Sequence, residues 1–169
     1  MNAPAITGPS GGMIITPDYR MSTLKQKLYQ ACLAYAQRSI DAAQQAINEA
    51  QQAAKDDTKS SAGDKYETGR EMAQQESNRN MAQLHEANKL KVQLNQVPVT
   101  DSVKVENGSV VITNNGNFYI AVSAGIVKVD DQNYFAISLA SPIGQKMNGL
   151  KTGDEFNLNG KGYRVKQVI

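Results

Sequence analysis

From Ser22 to Asp57 the chain contains neither glycine nor proline, and a second such stretch runs from Arg70 to Val97. Within the first, Leu33, Ala36, Ile40, Ala43, Ile47, Ala50 and Ala54 recur at alternating spacings of three and four. A sustained heptad seam of this kind is the pattern of a coiled coil rather than of a globular amphipathic helix. Ser22 is the expected N-cap of the first helix, and Pro98 ends the second. Tyr66 is an earlier candidate start for the second helix, although Gly69 weakens that first turn.

The two stretches fit one another as a hairpin. If the chain reverses near Ser60, facing positions carry residue numbers that sum to about 120, as for antiparallel helices with a short connection. Leu33 then faces Ala87, Ala36 faces Leu84, Ile47 faces Ala73 and Ala54 faces Tyr66. Large residues oppose small ones, as close interdigitation requires. Ile40 opposite Asn80 and Ala43 opposite Ser77 are less apolar. The expectation is an antiparallel two-helix coiled coil over residues 22–97, with its tip near 56–67. An arm of about 34 residues is roughly 50 Å long, far more than a core needs.

After Pro98 the period changes from that of a helix to that of strands. The runs "SVVIT" and "FYIAVSA" flank an Asn/Gly turn, which signals a hairpin. "GIVKV" and "YFAIS" read as further strands joined by "DDQN". "SPIGQKMNGL" suits one short helix, with Ser141 as N-cap and Pro142 at the first helical position. A last hairpin closes around Asn159-Gly160. The fold class is therefore α+β, a long N-terminal helical hairpin followed by a small β-rich domain over 98–169.

Composition narrows the function. With 169 residues and 40% hydrophobic content, the chain suits one ordinary domain or two small ones. Trp is absent and a net charge of +2 predicts neither nucleic-acid nor membrane binding from the overall field. The single cysteine, Cys32, excludes an internal disulfide framework and fits a reducing compartment. It reads as a buried apolar residue, and His85 as a surface residue, so neither suggests a nucleophile–base pair or a Cys/His metal site. Residues 1–21, rich in Gly and Pro, read as a flexible tail with neither a basic n-region nor an apolar h-region. No run spans a bilayer. These features predict a soluble, cytoplasmic, monomeric protein.

The motifs resemble a known family. "ISLASPIGQKMNGLKTGDEFNL" is similar to the Ile-Ser…Ser-Pro-Ile…Leu-x-Gly-Lys-x-x-Gly-Asp signature of the bacterial Gre-type transcript cleavage and elongation factors. Leu150 stands where that signature has Lys after its glycine, and Lys151 follows. "SAGDKYETGRE" resembles the family's Ser-Glu-Asn-x-Glu-Tyr tip motif, anchored on Ser61 and Tyr66. The resemblance covers about residues 22–169. It implies an FKBP-like C-terminal domain that docks at the rim of the RNA polymerase secondary channel, and an arm that enters the channel. It implies contact with nascent RNA only indirectly, no cofactor of the factor's own and no independent catalysis. Tip carboxylates in that family help hold Mg²⁺ and a water in the polymerase active centre, and backtracked RNA is then hydrolysed. The chemistry suits the metal, because Mg²⁺ takes carboxylate oxygens with water and phosphate, and a second metal activates the attacking water.

Where the family carries its key Asp and Glu, this chain has Lys59 and Ala62, and Lys65 replaces a further Glu. Asp57 and Asp64 are the best substitutes for positioning the metal and its water. Asp56, Ser60, Ser61, Lys65, Tyr66 and Glu67 complete the expected tip contacts. Three roles stand open for these acids: solvated caps and surface pairs, a contact without metal, or metal-assisted cleavage. In the C-terminal signature, Ser141, Pro142 and Ile143 are by resemblance partner-binding, while Gly149, Gly153 and Asp154 read as turn residues. The FKBP-like fold also brings a prolyl isomerase to mind, but so aromatic-poor a sequence offers no evident pocket for that activity. Two functions follow from the resemblance: an elongation regulator that stimulates cleavage, or a channel occupant that modulates transcription without cleaving. A third reading, from a different class, is an interaction module whose arm contacts another assembly.

Overall fold

A computed structural model describes residues 7–57 and 63–169, with side chains described over 23–56 and 68–169. Helix α1 is Thr7–Asp57 and α2 is Gly63–Asn95. Both start upstream of the expected positions, α1 before Ser22 and α2 before Tyr66. Local propensity does not explain either extension: α1 passes through Gly11, Gly12 and Pro17, and each glycine costs about 1 kcal/mol relative to alanine. Pro98 does end the helical region. The last turn tightens, with Gln96 N–H donating to Gln93 O at 3.1 Å and Val97 N–H to Leu94 O at 3.0 Å.

The chain divides into two units. One comprises Leu33–Val92; the other joins the preceding part of α1, up to Cys32, to Gln93–Ile169. The division thus falls within the helices, whereas Pro98 marks only the point where helix gives way to strand.

In the helical unit the seam is buried as its spacing predicts. Ala36, Ala43 and Ile47 are buried, with Leu33, Ile40 and Ala50 half-buried between them. On α2, Asn80 and Ala87 are buried one heptad apart. The seam stops short of the expected Ala54, which is exposed, as is Met72 on α2. Lys91 Nζ donates to Gln37 Oε1 at 3.0 Å. In the other unit, Tyr29 Oη donates to Asn95 Oδ1 at 2.8 Å. Both pairings sum to somewhat more than 120, so the register is shifted a few residues from the expected one.

The two helices use their abundant glutamines in a regular way. Gln37, Gln45 and Gln74 donate to Asp41, Glu49 and Asn78 at 2.9, 2.8 and 3.1 Å, each one turn onward. Such i, i+4 pairs add about 0.2–0.5 kcal/mol each to a helix with little tertiary support.

The remaining elements are β1 (Val110–Thr113), β2 (Gly116–Ile120), β3 (Gly125–Val129), β4 (Gln132–Ile137), α3 (Pro142–Met147), β5 (Glu155–Leu158) and β6 (Lys161–Val168). They form a six-stranded sheet in the order β3-β4-β2-β1-β6-β5, antiparallel except where β2 lies beside β4. All three expected hairpins are present, at Asn114-Asn115, at Asp130-Asp131 and at Asn159-Gly160. The second is tighter than "DDQN" suggested, because Gln132 and Asn133 already pair in β4.

Strand alternation splits the sheet between two layers. Phe118 and Ile120 join Val105, Val111, Met147, Phe156 and Val165 in one core, with Ile143 packed at its side. Tyr119 points the other way, fully buried beside Cys32 and Tyr29. The architecture is α+β, two long helices followed by a six-stranded sheet domain.

Candidate functional site

Two regions were expected to carry function, and they belong to different units. At the arm's end, Asp57, Ser60, Ser61, Asp64, Lys65, Tyr66 and Glu67 have side chains outside the described residues, so the proposed metal-positioning pair is not placed. Asp56 is described. It is exposed, and it accepts a long hydrogen bond of 3.5 Å from Gln52 Nε2, one turn earlier on α1. Among the described residues, no group of three or more His, Cys, Asp or Glu side chains is arranged to hold a metal ion.

The C-terminal signature is described in full, and its residues divide by role. Ser141 is the N-cap of α3: its Oγ accepts from Gly144 N–H at 3.1 Å and donates to Ser138 O at 2.6 Å. The hydroxyl is therefore engaged in building the loop. Pro142 occupies the start of the helix, where a missing N–H costs nothing, and it is exposed. Ile143 is half-buried against the core.

Gly144 shows why the segment admits no larger residue there. A Cβ at this position would lie 2.3 Å from Ser138 O and 2.9 Å from Leu139 O, both backbone atoms. Beyond the helix, Gly149 and Gly153 adopt φ of 82° and 97°, the left-handed region where glycine is favoured. Their amides donate to Val105 O and Val165 O at 2.8 Å each, which pins the loop to the segment before β1 and to β6. Asp154 Oδ2 accepts from Lys151 N–H at 2.8 Å. The turn role expected for Gly149, Gly153 and Asp154 is what these bonds show. On α3 the residues left facing outward are Pro142, Gln145 and Lys146, and further along the signature Lys151, Thr152 and Glu155 are exposed as well.

Sequence reasoning missed Lys25. It is 1% exposed, its Nζ donates to Thr100 O, and it lies 3.8 Å from Asp101. Burial pushes its pKa down, against the opposing pull of Asp101 and Glu106. The signal was present in the spacing: Lys25, Leu28, Cys32 and Ala36 are all buried at helical intervals, so the seam begins earlier than its first apolar run. Nearby, Lys27 Nζ contacts both carboxylate oxygens of Asp130, at 2.9 and 3.0 Å. This pair crosses an open groove lined by Thr23, Gln26, Gln30, Ala31, Lys128 and Val129.

Cys32 behaves as expected. It is fully buried, and burial pushes its thiol up to about 11, far from a reactive thiolate. His85 is exposed on α2. The sheet domain's aromatics stack on one another: Phe156 and Tyr163 rings lie 4.7 Å apart, and Phe118 meets Tyr163 at 6.1 Å and Phe135 at 5.6 Å. Among the described residues, no helix is long and apolar enough to cross a membrane.

No protein-family model and no curated protein matches the sequence. Among solved structures, the GreA factor homolog 1 protein of Thermus thermophilus aligns over 82% of this chain and 95% of its own, with 19% sequence identity and a TM-score of 0.32. A likeness this low carries no inference about activity.

Proposed function

We propose that this chain is a Gre-like regulator of transcription elongation that binds RNA polymerase through the secondary channel. The observation that carries the reading is the signature segment 137–158. Its sequence is similar to the family's most specific motif, and its glycines and Ser141 build a loop that turns Pro142 outward from a sheet domain following two long helices. In this reading Pro142 and Ile143 meet the polymerase rim, and Ser141 holds the loop in shape.

Asp57 and Asp64 are the carboxylates that would share Mg²⁺ with the polymerase and stimulate cleavage of backtracked RNA. A second reading is favoured by one observation: Lys59 and Ala62 occupy the positions where the family carries its key acids. Lysine has no oxygen to offer Mg²⁺ and alanine has no ligand at all. The protein then occupies the channel without cleaving, and modulates or inhibits transcription.

Backtracked elongation complexes of the cognate polymerase separate the two. Mg²⁺-dependent shortening of the RNA, abolished by Asp57→Ala or Asp64→Ala, supports cleavage. Binding without shortening supports the channel occupant. No binding to polymerase overturns both.

A further inference from the structure

The chain contains four Asn-Gly pairs, at 107–108, 115–116, 148–149 and 159–160. Asn-Gly is the dipeptide most prone to spontaneous deamidation, because the glycine amide is unhindered. The reaction requires the glycine nitrogen to reach the preceding asparagine Cγ. A hydrogen bond that holds either group must open first, and each such opening slows the reaction by roughly tenfold, the equivalent of about 1.4 kcal/mol.

Three of the four pairs are held in this way. Gly108 N–H donates to Ile120 O at 2.7 Å, and Gly149 N–H donates to Val105 O at 2.8 Å. At the third, the Asn115 side-chain amide donates to Gly162 O at 2.6 Å, while its backbone N–H donates to Thr113 Oγ1 at 3.0 Å. The fourth pair is different. Asn159 and Gly160 are exposed at the tip of the hairpin between β5, an edge strand, and β6. Among the described residues, neither the Asn159 side chain nor the Gly160 N–H has a hydrogen-bond partner.

We infer that Asn159 is the chain's deamidation site, selected by the fold from four equivalent sequence motifs. Hydroxide removes the Gly160 amide proton and the nitrogen bonds to Asn159 Cγ. The Cγ–Nδ2 bond breaks, and ammonia leaves after taking a proton from water. Water then opens the succinimide at one carbonyl or the other, giving aspartate or isoaspartate. Either product adds one negative charge. Isoaspartate also inserts an extra backbone carbon into a two-residue loop that needs φ of 54° and 78°, so the hairpin register beyond it is lost.

Incubating the folded protein at mildly alkaline pH, followed by peptide mapping by mass spectrometry, tests this. The peptide containing Asn159 gains one mass unit roughly tenfold faster than the other three, a ratio set by one hydrogen bond. In denaturant the four rates converge. Asn159→Gly, which tolerates positive φ, removes the modification and keeps the fold. Two results overturn the inference: another Asn-Gly pair reacting as fast in the folded protein, or the same order of rates persisting in denaturant.

Discussion

Asp130 and Asp131 both adopt positive φ, 51° and 64°, in the two-residue turn between β3 and β4. The turn geometry demands this, and the usual solution places glycine second. Asp130 is compensated by its two contacts to Lys27, whereas Asp131 has only a surface pair with Lys128 at 3.9 Å. A pair this exposed contributes little. Asp131→Gly is therefore expected to raise unfolding free energy by about 0.5 kcal/mol, after allowing for the extra freedom of glycine in the unfolded chain. Urea denaturation measures it, and a lower midpoint would show that the side chain matters more than the backbone.

The buried ionisable groups act at the same scale. Cys32 has a folded value near 11 against an ordinary 9.0, so its contribution is intact below pH 9 and disappears as pH rises through about 11. Two pH units correspond to about 2–3 kcal/mol, with Tyr119 shifted in the same direction by burial. Lys25 works oppositely: its value is lowered, so its cost diminishes as pH rises from that value towards 10.5. Cys32→Ala is expected to flatten the alkaline loss of stability, and Lys25→Met to steepen it. Thermal unfolding across pH 8–11 reads both signs, and a Cys32→Ala profile parallel to wild type refutes the assignment.

Among the elements, α2 carries a polar group where a seam wants an apolar one. Asn80 is 7% exposed and its Nδ2 has no partner among the described residues. A buried amide of this kind costs about 1–3 kcal/mol, and asparagine at seam positions is a known device for fixing register. Asn80→Leu is expected to stabilise the helical unit by about 1–2 kcal/mol while relaxing its pairing. Chemical denaturation would show the gain. Cysteine cross-linking between Gln37 and Lys91 positions would lose its single-register specificity, and a destabilised variant would mean that Asn80 has a partner in solution.

Elements were largely legible because their signals are local. The heptad spacing marked the seam, Asn-Gly and the longer run "DDQN" marked turns, and Ser141-Pro142 marked a helix start. The strand order was not legible, since inserting β4 between β2 and β3 depends on long-range pairing that no local pattern encodes. Lys25 was hidden for a related reason: its position follows the seam, but its charge argues for solvent until Thr100 and Asp101 are brought to it by the fold. The signature loop was legible as turns, yet only its hydrogen bonds separate Ser141, turned inward, from Pro142, turned out.

At the scale of the whole molecule, that separation makes the proposed function divisible into shape, contact and chemistry. Ser141→Ala removes a cap that accepts at 3.1 Å and donates at 2.6 Å, so it is expected to destabilise the sheet domain by about 1–2 kcal/mol. Pro142→Ala removes an exposed side chain and leaves stability nearly unchanged. If Pro142 meets the polymerase, its loss weakens binding without lowering the unfolding midpoint. Ser141→Ala weakens binding only in proportion to the domain it unfolds. If Asp57 and Asp64 act in cleavage, Asp57→Ala with Asp64→Ala is expected to leave polymerase affinity intact and to alter only RNA shortening, because these acids belong to the helical hairpin rather than to the signature loop. Measuring affinity, unfolding midpoint and RNA length on the same three variants therefore places each residue in one class. Loss of affinity in Ser141→Ala at a temperature where the domain remains folded would instead make the serine a contact residue, against the geometry that turns its hydroxyl into the loop.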